Sequence, residues 1–396
     1  MPPVTHSKKY SPSKSSIWTR CALSTLLNQG DESYGDAAIF GTQCHELGQR
    51  LIEKALGITN YDEEVKDIEE VKKGLDHYDD DMESIANSYA DSVVKLFEFY
   101  KSISFEKPLI FIEQHIDTDF DESSGGTLDL GLYSDADGGT IVVEDLKTGR
   151  KPVSAKDPER GGPNSQLGIY ALYFYESVIK DLYPVKNVRL IIHQPLIGNN
   201  NEYSMSLEEL LKFKEEILIP AVLKTKVSNL EAKAGAHCEY CVGRHVCRTY
   251  HETNQKIGEE ISKSIDQFTD EEIEAIIPKL DAFIKYAEDL KEYATKKAQE
   301  GHKWKGYKLV PSKVTRKITN EEKVKEILEN NGISPLNPGK LLGITEITKK
   351  LGKEKFKELI SPYVELVESS LILVPESDPR NEAVINKPQE ENNHAN

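Results

Sequence analysis

Apolar and polar positions follow a strand-like pattern near the middle of the chain and a helical period on either side of it. Two apolar-rich runs, Thr127–Tyr133 and Thr140–Leu146, flank the turn-rich stretch Ser134–Gly139. Valine and isoleucine suit strands, and aspartate and glycine supply turn conformations, so the pattern predicts a β-hairpin. Its DADGG segment lacks the later glutamate ligand of a calcium loop and reads as a turn. Upstream, Ile17, Ala22, Leu23 and Leu26 recur at helical spacing behind Ser13 or Ser15 as a cap, which predicts one helix there. Ala37–Leu56 and Ile85–Ser104 predict two more helices, and Leu109–His115 a strand entering the core sheet. After the hairpin, Ser165–Ile179 predicts an apolar helix and Val188–Pro195 a further core strand. Helices, strand, hairpin, helix and strand in this order predict an α/β core, a mixed central sheet with helices on both sides.

Beyond Arg248 the pattern turns helical and charged. Thr269–Glu272 forms a capping box ahead of a segment that Pro278 kinks or restarts. His302–Lys317 reads as a basic hairpin carrying Trp304 and Tyr307. Thr319–Glu322 caps another helix, and short helices run to about Leu366. From Glu376 the apolar content falls and disorder is expected. The expected division is residues 1–255 as the core domain, 256–375 as a mainly helical appendage, and 376–396 as a tail.

At 396 residues the chain has room for a sizeable core. No run of about 18 apolar residues predicts a membrane helix, and the first residues lack the apolar stretch of a secretory signal. A cytoplasmic location follows, and structural disulfides are rare there. The formal net charge of −17 argues against a generic polyanion binder. That charge is uneven. Tyr61–Met82 holds ten acids against three lysines, a solvated helical surface within an insertion or linker. Lys147–Arg160 holds five basic residues against two acids, and His302–Lys317 six against none, so local phosphate binding remains open.

The hairpin carries the candidate chemistry. Asp129 lies on its first strand; on its second, side-chain alternation puts Asp145 and Lys147 on one face and turns Glu144 to the other. Two carboxylates at one point hold a hard divalent ion, and a lysine beside it steers a water or steadies a phosphate. Gln166 and Tyr170, four residues apart, share a helix face. A second cluster, Cys238, Cys241 and Cys247, falls within ten residues, crowding that implies a metal or cluster before a disulfide. His237, His245 and the distant Cys21 are candidates for a fourth ligand, and a Cys3His zinc site is a legitimate local solution. Cys44 reads as buried packing.

Gly126-x-x-Asp129, Asp145-x-Lys147 and Gln166-x-x-x-Tyr170 together resemble the PD-(D/E)XK nuclease signature, in its RecB-type exonuclease branch. Gly41-Thr42-x-x-His45 resembles that family's G-T-x-x-H helix, although Gln49 stands where the family has a glutamate. The resemblance implies a Mg²⁺- or Mn²⁺-dependent DNA nuclease. His45, Asp129, Asp145 and the Leu146 carbonyl would hold the metal, Lys147 would orient water or phosphate, and Gln166 and Tyr170 would position the DNA end. Some RecB-type nucleases, the AddB-type and CRISPR adaptation enzymes among them, carry one cysteine before the core and three after it. Cys21, Cys238, Cys241 and Cys247 reproduce that arrangement and imply a structural [4Fe–4S] cluster, with Zn²⁺ as the alternative.

Arg150 and Lys151, in the basic loop after the hairpin, and Trp304 and Tyr307 are the candidate contacts to single-stranded DNA or duplex ends. The whole arrangement, including the VPESDPR ending, also looks like a phage-encoded family catalogued without an assigned function. That implies partners among phage recombination or replication proteins, in the bacterial host cytoplasm. A different class stays open: a non-catalytic DNA-binding recombination scaffold that keeps the fold and a structural metal.

Overall fold

The computed structural model describes residues 9–27, 35–58, 68–76, 78–121, 124–262, 267–312, 314–337, 340–368 and 370–383. The chain divides into two compact units, Met1–Glu272 and Ile273–Asn396. The boundary expected after residue 255 thus falls inside a helix of the first unit.

The first unit begins with two single-turn helices, Ser15–Trp18 (α1) and Ser24–Leu27 (α2), where one longer helix was expected. The Ser24 and Thr25 hydroxyls donate to the carbonyls of Cys21 and Ala22 at 2.7 and 2.8 Å. Such local bonds compete with a helical ladder and turn the chain at Cys21. Asp36–Leu56 (α3), Ile68–Gly74 (α4) and Asp80–Ile103 (α5) follow. The acidic stretch therefore becomes α4 and the start of α5, capped by Asp79 accepting from the Met82 amide; its residues 61–67 and 77 lie outside the described ones.

Next come Leu109–Asp117 (β1), Gly125–Ser134 (β2), Thr140–Leu146 (β3), Ser165–Phe174 (α6), Asn187–Gln194 (β4) and Asn199–Ser206 (β5). Leu207–Phe213 (α7), Ile219–Lys224 (α8) and Arg248–Glu260 (α9) complete the unit's regular helices. The strands form one sheet in the order β1-β2-β3-β4-β5, antiparallel except for the β3–β4 pair. That parallel pair needs a crossover, and α6 supplies it. On one face α3 and α5 bury Leu47, Tyr89 and Val93 against Leu130 and Leu146. On the other, α6 and α7 bury Leu167, Phe174 and Leu210 against Ile141, Val143 and Leu190. The result is a five-stranded mixed sheet flanked by helices.

The expected capping box forms at Thr269 and Glu272, ahead of Asp270–Gln299 (α10), which runs on through Pro278. The second unit continues with Tyr307–Pro311 (β6), Val314–Ile318 (β7), Glu321–Asn330 (α11), Leu336–Asn337 (β8) and Lys340–Leu341 (β9). Asn320 caps α11. Ile344–Leu351 (α12), Lys353–Lys355 (α13), Val364–Glu368 (β10) and Leu371–Pro375 (β11) end it, around a core of Val324, Leu328, Ile347, Phe356 and Ile360. The expected 302–317 hairpin does not form: β6 pairs with β11 and β7 with β10. Residues 376–383 are held against β6, the Lys308 ammonium donating to the Asp378 and Arg380 carbonyls and the Ala383 amide to the Leu309 carbonyl. The rest of the expected disordered tail, 384–396, lies outside the described residues. Among the described residues, no helix is long and apolar enough to cross a membrane.

Candidate functional site

Strand register sets three carboxylates on one rung of the sheet. Ile112 pairs with Leu130 and Gln114 with Leu128, so Glu113 on β1 stands opposite Asp129 on β2. Leu130 pairs with Glu144, and the next step along sets Asp129 opposite Asp145 on β3. Neighbouring strands are about 4.8 Å apart, and like charges so placed repel. Glu113 also has φ +48°, a left-handed conformation that non-glycine residues adopt at a cost and that clusters at functional sites.

Helix α3 brings His45 over this rung. Its Nδ1 lies 3.2 Å from Glu113 Oε1 and 3.5 Å from Asp129 Oδ2. The ligand atoms of His45, Glu113 and Asp129 all fall within 4.8 Å of one another. On the far side, Asp145, Lys147 and Gln166 close a triangle. Lys147 Nζ lies 2.8 Å from Asp145 Oδ2 and donates to Gln166 Oε1 at 3.0 Å, while Gln166 Nε2 donates to Asp145 Oδ1 at 2.9 Å. Asn164 caps α6 by accepting from the Gln166 amide, which fixes the start of the helix that delivers Gln166. Tyr170, one turn on, is buried, and its hydroxyl explains Gly126: a Cβ there would meet it at 2.8 Å. The Leu146 amide donates to Asp129 Oδ2 at 2.8 Å.

The electrostatics follow from crowding and burial. Burial alone would lower the His45 pKa, but the Asp129, Glu113 and Asp145 carboxylates override it and push it to about 9. Asp129 is pushed up to about 8 by burial and by the Asp145 and Glu113 charges, against the pull of His45. Burial works against the Lys147 ammonium, yet Asp145 and Asp129 hold its pKa above the ordinary value. Without a cation, then, the rung retains protons. Asp145 Oδ2 is buried and is engaged by the Lys147 ammonium. Crowded, buried carboxylates beside an imidazole are a donor set that fits a hard divalent cation.

Glu113 is the site residue the sequence reading lacked; its signal was an acid inside the apolar run LIFIEQH. Gln49 bonds Glu53 at 2.9 Å. Arg150 is exposed in the loop after Lys147. Lys151 is not free for a phosphate: its ammonium pairs with Glu239 and lies 5.2 Å from the Tyr240 ring centre. The same loop is tied to the chain's start by Arg20–Asp157 at 2.5 Å and by Arg160 donating to the Thr19 carbonyl. Glu144 faces away, toward Ser92 on α5.

The four expected cysteines line one cavity. Cys238, Cys241 and Cys247 sit on successive three-residue turns, in which Cys238 accepts from the Cys241 amide, Cys241 from that of Arg244, and Arg244 from that of Cys247. Cys21, at the bend between α1 and α2, completes the ring. Gly243 permits that approach, since a Cβ there would lie 2.3 Å from Leu27 Cβ. Burial raises the Cys238 pKa to about 11, with the other three sulfurs adding to it; Cys241 is raised by burial, with Cys21 and Cys247 adding. His237 lines the cavity but engages the Lys233 carbonyl at 2.9 Å, and His245 is exposed. Cys44 is elsewhere, in the α3–α5 core, where burial pushes its thiol to about 12. Four soft, mutually facing thiols fit a thiolate-bound metal or cluster.

A solved structure described as "Crystal structure of SSO0001" is 13% identical, the likeness covering 63% of this chain and 90% of that chain at a TM-score of 0.23, too low to carry an argument. The sequence match is broader. Residues 6–381 fit the model of the family described as "Protein of unknown function (DUF2800)", and the chain belongs to that family.

Proposed function

We propose that this chain is a Mg²⁺- or Mn²⁺-dependent DNA nuclease of the RecB-like PD-(D/E)XK class, hydrolysing phosphodiester bonds in phage DNA recombination, repair or replication. The observation that carries the reading is the rung of three carboxylates under His45, with the Asp145–Lys147–Gln166 triangle beside it. His45, Glu113, Asp129 and Asp145 would hold the ion. Bound there, it would stabilise charge on a phosphate and lower the pKa of a water.

The chain's own residues divide the remaining work. Lys147, kept protonated by Asp145, offers its ammonium to a phosphate oxygen or to the attacking water. Gln166 fixes that ammonium by accepting from it while donating to Asp145. Tyr170 walls the site against Gly126, and Arg150 offers an exposed charge to the strand.

Cys21, Cys238, Cys241 and Cys247 would hold a [4Fe–4S] cluster that closes the unit. Zn²⁺ on the same four thiolates is the alternative.

The test is cleavage of linear duplex and single-stranded DNA with Mn²⁺, Mg²⁺ or EDTA. Asp145→Ala and Lys147→Ala should each reduce turnover roughly 1,000-fold or more while leaving the circular dichroism spectrum unchanged. Wild-type protein that leaves DNA intact with either metal, or variants that cleave as wild type does, would remove the reading.

A further inference from the structure

The second unit holds a cleft of about 640 Å³ beside the turn that enters β6. Trp304 and Tyr307, the aromatic residues the sequence singled out, line it. Its volume lies within the range of small-ligand sites, but its lining is unusual for one: those two rings, with Lys303, Lys305, Glu376 and Glu382. The turn explains the arrangement. The Tyr307 amide donates to the Trp304 carbonyl at 3.2 Å, with Gly306 at φ +80°. A closed four-residue turn of that kind sets the two rings at its two ends and Lys305 at its tip.

Both rings are prepared rather than absorbed into the core. Trp304 is fixed by its indole N–H, which donates to the Ala294 carbonyl at 2.8 Å, and by the His302 ring at 4.2 Å. Tyr307 is 51% exposed. The basic residues of this segment also separate. Lys308 donates to two carbonyls, and Arg316 lies over the Phe356 ring. Lys303 and Lys305 are exposed and make no ion pair among the described residues. Glu376 and Glu382 repel phosphate, so a bound backbone is directed to Lys303 and Lys305.

We propose that this cleft binds an unpaired base of a single-stranded DNA segment. The base stacks on Tyr307 or Trp304, and the adjoining phosphates meet Lys303 and Lys305. This rests on the reading of the chain as acting on DNA, and it names the strand state that the second unit recognises. A blunt duplex has no free base face to offer, so the cleft discriminates against it.

The experiment is fluorescence anisotropy of the full chain with a labelled oligo-dT of about 15 nucleotides, in EDTA, across a salt titration. A blunt duplex of equal length is the control. Lys303→Gln with Lys305→Gln, at exposed positions that cannot unfold the chain, should lower the log–log salt slope by about 1.4, near 0.7 per lost contact. Tyr307→Ala should weaken oligo-dT binding roughly 5- to 150-fold with the slope kept and leave duplex binding as in wild type. Unchanged slope and affinity in these variants, equal losses on the duplex, or no oligo-dT binding by wild type would each overturn the proposal. Cleavage measured in parallel separates the two readings. A chain that cleaves DNA while these variants bind as wild type loses only the cleft. A chain that binds through the cleft but never cleaves loses only the nuclease.

Discussion

The carboxylate rung and the cysteine ring lie in the same unit but are assembled in opposite ways. The rung is made by sheet register: three adjacent strands place Glu113, Asp129 and Asp145 side by side, and the paired residues flanking them fix that alignment. A one-residue slip would turn any of them to the other face. The ring is made by irregular chain. Three-residue turns carry three of the sulfurs, and the fourth arrives on a bend over two hundred positions earlier. A register-built site keeps its shape without its ligand and stores repulsion instead. A loop-built site has few ladder bonds, so its ligand supplies a larger part of its order.

The largest expected effect breaks the ring. Cys21→Ser and Cys241→Ser should both lose bound iron and sulfide and lower the stability of the first unit by roughly 3–5 kcal/mol, the scale of a cross-link closing a long loop. Cys44→Ser should keep the metal, because Cys44 packs against α5 in a separate core. Elemental analysis and thermal melting check this. Full metal content in Cys21→Ser would make the site local and end the comparison. Zinc in place of iron would keep the closure and change the cofactor.

A middle-sized effect probes the rung. Adding Mn²⁺ at about 100 times its Kd should stabilise wild type by about 2.7 kcal/mol. Glu113→Gln should require at least about tenfold more Mn²⁺ for the same rise in melting temperature. It should leave iron content untouched, while Cys21→Ser should leave the Mn²⁺-induced rise in place. Glu113→Gln with a wild-type Mn²⁺ titration would exclude Glu113 as a ligand.

How much of this was legible follows the same division. Asp129, Asp145 and Lys147 were readable because hairpin spacing and strand alternation are local. The cysteine triplet was readable from spacing alone. Glu113 was not, because its place on the rung depends on β1 pairing with β2 in a particular register, and its left-handed backbone leaves no mark in composition. The helix expected across Cys21 failed where Ser24 and Thr25 turned their hydroxyls back on the chain. The hairpin expected at 302–317 failed because β6 and β7 chose partners more than forty residues away, where Leu309 and Val310 meet Leu373 and Ile372. Local pattern specified the strands; it did not specify what they paired with.

The last effect lies one residue from the rung, on the opposite face of β3. Glu144 is fully buried, accepts from Ser92 at 2.8 Å through one oxygen and leaves the other without a partner. Burial raises its pKa from 4.5 to about 7, against smaller opposing effects of Ser92 and Arg189. Its folded value therefore exceeds its unfolded one. Between about pH 4.5 and 7 the folded chain keeps a proton that the unfolded chain has released, so Glu144 makes stability fall as pH rises through that window, on the order of 3 kcal/mol in all. His193, 3.8 Å away and lowered by burial from its ordinary value, acts with the opposite sign, so the wild-type curve mixes the two. The difference between Glu144→Gln and wild type isolates the carboxyl. Urea unfolding at closely spaced pH values should show the variant gaining on wild type from pH 5 to 7 and holding that gain at pH 8, with DNA cleavage retained. Parallel curves over that range would mean that Glu144 ionises in place, and that the orphaned oxygen meets a partner such as water.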